Sequence, residues 1–162
     1  MAETNTKARA EQQLVVFDLA QEAYGVDIGT VRELIRMQDV TSVPHRPDYV
    51  SGVINLRGRI TPVVDLRKRF DLPQTEITRD SRIVVVDIDG EDIGMIVDAV
   101  TEVLRISADQ IEPPSNMIAA GGSDYIVGIA KLESQLVLLL DLERVLTTVS
   151  AEGSPELLAA AA

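Results

Sequence analysis

One structural plan is written twice in this chain, and that duplication restricts the fold more than any composition figure does. Residues 52–70, GVINLRGRITPVVDLRKRF, read as an apolar strand, a glycine turn, a second strand and the charged start of a helix. Residues 128–146 repeat the plan, with Gly128, Leu132, Asp141 and Leu142 in the places of Gly52, Leu56, Asp65 and Leu66. Upstream, Val15, Val16, Asp18, Glu22, Gly25, Val31 and Glu33 match Val84, Val85, Asp87, Glu91, Gly94, Val100 and Glu102. The copies span residues 14–72 and 83–149, joined by a polar connection at 73–82. A polar tail, 1–13, is expected to be disordered. At the other end, 150–162, Ser154 as N-cap and Pro155 at the first helical position predict a short helix or frayed tail.

Two copies in 162 residues make either one domain of ordinary size or two very small ones sharing an interface. Within each, short strands are punctuated by Gly, Pro and Asp. That pattern suits a small closed β-barrel better than an open sheet with exposed edges. Barrels so small are marginal alone, so the pair is expected to pack together, and whether strands are exchanged between them stays open. In the first copy, residues 14–19 form a strand that turns at 20–22 and returns at 24–27. Ile28, Val31, Leu34 and Ile35 then recur at helical spacing with Arg32, Glu33 and Arg36 between them, which predicts a short amphipathic helix with a buried stripe. Pro44 and Pro47 mark a loop. In the second copy, 83–88 and 93–97 form a hairpin across Asp89-Gly90, a pair suited to the positive φ angles of a tight turn.

Several function classes drop out on chemistry. A net charge of −11 disfavours nucleic acid and anionic membrane as general partners. With no cysteine and one histidine, neither thiolate catalysis nor a transition-metal site is expected, and no cofactor is called for. His45 stands alone between prolines with no nucleophile to serve. The acidic run at 87–92 lacks the glycine placement of an EF-hand loop and reads as a charged hairpin turn. Asp65 and Asp141 each precede a helix start, where N-capping explains them without acid–base chemistry. No catalytic residue is therefore assigned. The amino-terminal residues lack the apolar core of a signal peptide, and the aliphatic run at 136–140 is too short to span a bilayer, so a cytoplasmic protein is expected.

What remains is asymmetry between the copies. Arg57-Gly58-Arg59 stands at one hairpin tip where the other copy has Glu133-Ser134-Gln135. Gly58 supports a tight turn presenting Arg57, a planar donor suited to carboxylates. From charge alone, a solvated turn and a partner contact weigh equally. Arg67-Lys68-Arg69 forms a second basic run, expected as a solvated helix face.

The motifs Tyr24-Gly-Val-Asp-Ile28, Val31-Arg-Glu33, Gly52-Val-Ile-Asn-Leu-Arg-Gly58, Pro62-Val-Val-Asp-Leu66 and Asp98-Ala-Val-Thr-Glu-Val-Leu104 closely resemble the CheW family of chemotaxis coupling proteins, from about residue 14 to residue 149. Related sequences occur in the regulatory domain of the CheA histidine kinase and in CheV. No phosphotransfer, ATP-binding or receiver segment is present in these residues, which favours CheW. The resemblance implies two five-stranded SH3-like barrels and a non-catalytic scaffold that couples methyl-accepting chemoreceptors to CheA. It also implies that Ile28, Val31 and Glu33 face the receptor, and that receptor or kinase coupling depends on Gly52, Arg57 and Gly58. A small-molecule or peptide-binding barrel is the alternative, and an enzyme the least favoured reading.

Overall fold

The computed structural model describes residues 11–73, 76–114 and 125–148. The strands are β1 (Glu11–Leu19), β2 (Glu22–Asp27), β3 (Val31–Arg36), β4 (Val50–Leu56), β5 (Arg59–Asp65), β6 (Arg82–Ile88), β7 (Glu91–Val97), β8 (Ala99–Ser107), β9 (Ile111–Glu112), β10 (Ile126–Lys131) and β11 (Leu136–Leu140). Two short helices, α1 (Leu66–Arg69) and α2 (Leu142–Thr148), follow β5 and β11. The fold is mainly β, as the punctuation of the sequence predicts.

Two mixed sheets result, a six-stranded one ordered β8-β1-β2-β11-β10-β9 and a five-stranded one ordered β3-β6-β7-β5-β4. Matching strands occupy matching places, β3 with β8, β6 with β1, β7 with β2, β5 with β11 and β4 with β10. Each sheet takes its central hairpin from the other half of the chain. The joins are the parallel pairs β5–β7 and β11–β2, with Val63 opposite Gly94 and Leu139 opposite Gly25. Among the described residues no ladder closes the five-stranded sheet between β3 and β4. A single bridge, Thr41 to Val53, spans that side.

Three apolar clusters explain why the central strands read as unbroken hydrophobic runs. Leu14 and Val16 pack with Ile106, Ala130, Val137 and Leu139 inside the curl of the six-stranded sheet. Val63, Ile83, Val85 and Ile96 do the same in the five-stranded sheet, with Ile54. Alternate residues, among them Val15, Phe17, Leu19, Val84, Val86 and Ile88, face the other sheet and join the largest cluster. A strand buried on both faces has no polar alternation to display.

Several expectations need correction. The helix expected over 28–36 is a 3₁₀ turn (Ile28–Thr30) followed by strand β3. Along β3, Val31, Glu33 and Ile35 are partly buried while Arg32, Leu34 and Arg36 are exposed, a period of two. Residues 28, 31 and 35 fit the helical period as well, but β6 needs an edge partner for its backbone, and β3 supplies it. Strand β1 begins at Glu11, three residues before the sequence suggests, because Glu11, Gln12 and Gln13 pair with Ser107, Ile106 and Arg105. Nor is the 67–69 run a solvated face: Arg67 is 3% exposed, and only Lys68 is exposed among the three. The expected C-terminal helix and most of the N-terminal tail lie outside the described residues. His45 sits in an exposed loop, and Asp65 and Asp141 cap α1 and α2, Asp65 accepting from the Arg67 N–H at 3.0 Å and Asp141 from that of Glu143 at 3.1 Å.

Candidate docking site

The β4–β5 hairpin closes through Leu56 opposite Arg59, leaving Arg57 and Gly58 as a two-residue turn with φ of 52° and 82°. Two successive positive φ angles match the right-handed twist of the strands, and glycine takes the second at no steric cost. The Gly58 N–H donates to Asn55 Oδ1 at 2.8 Å, which locks the turn. Arg57 is thereby held at the tip with its side chain 76% exposed. Its Nη1 lies 2.6 Å from Glu33 Oε2 on β3, so the ion pair links the two edge strands that no ladder joins.

Glu33 is the more buried partner, and its other oxygen, Oε1, is buried without a hydrogen-bond partner. A buried acceptor left unsatisfied is unfavourable, and a donor from outside the chain would relieve it. Next to it, Arg32 reaches Asp87 at 3.2 Å and Asp92 at 3.0 Å, tying β3 to the β6–β7 hairpin. Val31 is partly buried against the shared core, and Ile28, 37% exposed, stands on the 3₁₀ turn. That turn is capped by Asp27, whose Oδ1 accepts from the Gly29 N–H at 2.9 Å. The structure thus gathers Glu33, Arg57 and Gly58 at one place, whereas Val31, across a β-bulge from Glu33, pairs with Val86 and packs against the cluster between the sheets.

Gly52 has a different position. It is buried at a β-bulge of β4 with φ of 147°, where an added Cβ would lie 2.0 Å from the Thr41 carbonyl oxygen. Glycine is demanded there by the Thr41–Val53 bridge, whose two hydrogen bonds are 2.8 and 2.9 Å long.

Sequence reasoning missed two features. The second copy repeats the strand-to-tip contact in weaker form, Gln135 Nε2 donating to Glu102 Oε2 at 3.4 Å. Beside each contact stand large exposed apolar side chains at repeat-related positions: Leu34 (44% exposed) and Ile60 (55%) in one sheet, Val103 (51%) and Leu136 (58%) in the other. The offset that aligns the copies pairs these residues. The helix expected over 28–36 hid the exposure of Leu34.

A family model described as a CheW-like domain matches residues 13–150. The chain belongs to the CheW-like family. Among its relatives, the chemotaxis protein CheW of Bacillus subtilis (strain 168) is 33% identical over 143 residues, 88% of this chain and 92% of that protein. The chemotaxis protein CheW of Treponema pallidum (strain Nichols) is 31% identical over 140 residues, 84% of this chain and 82% of its own. A crystal structure of the scaffolding protein TtCheW from Thermoanaerobacter tengcongensis superposes with a TM-score of 0.75 at 40% identity, covering 83% of this chain and 86% of that one. In this CheW-like chain no group of three or more His, Cys, Asp or Glu residues could hold a metal ion, among the described residues. Likewise, no helix among them is long and apolar enough to cross a membrane.

Proposed function

We propose that this CheW-like chain is a non-catalytic adaptor that couples chemoreceptors to the CheA histidine kinase within chemotaxis signalling arrays. The observation carrying the reading is the pairing of exposed apolar residues by the repeat, Leu34 and Ile60 with Val103 and Leu136. Large apolar side chains exposed at matching positions on both halves fit a protein that holds partners by two similar faces. Relatives and a structural neighbour are called chemotaxis and scaffolding proteins, which supports partners within chemotaxis signalling in general. The kinase's regulatory domain, built on the same twin-barrel plan in this resemblance, would engage such faces. The receptor's helical tip would meet Ile28, Val31 and Glu33.

Within that reading Arg57 and Glu33 form the joint between turn tip and edge strand, and the unpartnered Glu33 Oε1 offers a directional acceptor at the margin of an apolar contact. Apolar area supplies attraction, while the charged pair fixes orientation. An adaptor of this kind alters kinase output only by binding one arrangement of receptor and kinase better than another. The test is binding of the full chain to purified CheA regulatory domain and to a soluble receptor tip fragment, by calorimetry. Saturable binding to both is expected; failure to bind either one overturns the reading.

A further inference from the structure

Helix α1 is a single turn, yet both of its arginines make contacts that reach well beyond it. Arg67, 3% exposed, holds Asp65 through Nε at 3.3 Å and Nη2 at 3.4 Å, and its Nη1 lies 3.5 Å from Asp98 Oδ1. Asp98 is the residue at which the chain leaves β7 in the five-stranded sheet and enters β8 in the six-stranded one. Its other oxygen, Oδ2, accepts from the Ala20 N–H at 2.8 Å, and its own N–H donates to the Asp18 carbonyl at 3.0 Å, so the crossover is tied to the end of β1. Arg69 leans the other way. Its guanidinium carbon lies 5.0 Å from the Tyr49 ring and 4.6 Å from the Tyr125 ring, and Nε donates at 3.0 Å to the Val145 carbonyl of α2. Phe70, the next residue, stacks between Tyr24 of β2 and Tyr125, at 5.9 and 5.6 Å.

The Arg67–Asp65 and Arg69–Tyr49 contacts stay within the five-stranded half, but those of Arg69 with Tyr125 and Val145 and of Phe70 with Tyr24 and Tyr125 run to segments attached to the six-stranded sheet, and Arg67 reaches the crossover itself at Asp98. The apolar interface between the sheets supplies cohesion, but it is non-directional and tolerates a change of angle. Fixed-geometry hydrogen bonds and ring stacking do not. The duplication provides an internal control: the positions equivalent to Arg67, Arg69 and Asp98 are Glu143, Val145 and Gly29, which cannot make the same contacts. A helix turn following a hairpin therefore does not need these cations to form.

We propose that Arg67 and Arg69 are positioning residues, a clasp that sets the angle between the two sheets and thereby the relative placement of their docking faces. The consequence for docking rests on the adaptor reading above; the angle itself does not. Removing the clasp leaves each sheet's own ladder and curled core intact while loosening one sheet against the other.

The chain has no cysteine, so spin labels can be placed without background. Ile60→Cys and Leu136→Cys put one label near the tip of the late hairpin in each sheet, both at exposed positions away from α1. Pulsed dipolar spectroscopy should give one narrow distance in the labelled full chain. Arg67→Met combined with Asp98→Asn, which removes the cation without stranding the Asp98 carboxylate, should widen or displace that distance by more than its native width while the far-ultraviolet dichroism stays native. Arg69→Met, at a half-buried site whose loss leaves no buried charge, should act in the same direction. An unchanged distance in Arg69→Met, or in the double variant where it folds, overturns the proposal. Failure of the native chain to bind kinase or receptor would overturn the adaptor reading and leave the distance result standing.

Discussion

Replacing Gly52 by alanine separates a backbone requirement from a surface contact. The new Cβ would sit 2.0 Å from the Thr41 oxygen, and the obstacle is backbone that cannot swing aside as a side chain could. Two penalties follow. The Thr41 segment must move off β4, forfeiting two hydrogen bonds, and residue 52 is still held in a φ range that side-chain-bearing residues rarely adopt. Each lost hydrogen bond costs about 0.5–1.5 kcal/mol. Backbone strain of this kind costs about 1–3 kcal/mol. The Gly52→Ala variant should therefore lose roughly 2–6 kcal/mol if both penalties are felt, and Tm should fall by at least about 4 °C for a chain of this size. Urea denaturation followed by circular dichroism measures the loss directly, with an unchanged slope showing that the same surface is exposed on unfolding. A variant with native stability and lost partner binding would refute this reasoning and return Gly52 to the partner surface.

Arg57→Ala should behave in the opposite sense. An exposed ion pair contributes about 0.2–1 kcal/mol, so the fold and Tm should change little while calorimetric affinity for kinase or receptor fragment falls; an unfolded variant would exclude Arg57 as a contact residue. Phe17→Ala, at a fully buried ring stacked 6.2 Å from Tyr24, should cost about 3–5 kcal/mol in the same denaturation assay. Burial, with repulsion from Asp98 second, raises the Asp18 carboxyl above its ordinary range. A folded-state pKa above the unfolded one means that the ionised form is disfavoured by folding, so Asp18 weakens the fold as pH rises through its folded value and is neutral in both states in strong acid. Asp18→Asn should accordingly raise Tm at pH 7, with the gain shrinking to nothing as pH drops below about 3.8, the ordinary carboxyl value; a gain that persists in acid would contradict the assigned cause.

The duplication carried most of the architecture in plain view. Matching Gly, Asp and Leu positions gave the hairpins, the Asp89-Gly90 turn and the capping roles of Asp65 and Asp141, because each depends on backbone geometry local to a few residues. Residues 28–36 failed for a physical reason: Ile28, Val31 and Ile35 satisfy the helical period while Val31, Glu33 and Ile35 satisfy the strand period. Only the unfilled edge of β6 chooses between them, and β6 lies some fifty residues away in sequence. The matching segment in the second copy, Val100 to Leu104, offered a second sample of the same pattern. At the candidate site, the turn and the exposure of Arg57 were legible, but its partner was not, since the Arg57–Glu33 distance depends on how far a sheet curls. Burial of Arg67 was likewise invisible, for its carboxylate partner Asp98 is reached only through the crossover between sheets.

Exchange of hairpins between the sheets has a consequence for how the protein is made. A ribosome delivers β3 to β7 by Val97, so the five-stranded sheet can assemble while the rest is still being synthesised. The β1–β2 hairpin, first to emerge, must wait until β11 appears at Leu140 before its sheet is complete. During that interval the apolar surface of the oldest part of the chain stands uncovered, which makes it the segment a chaperone would meet first.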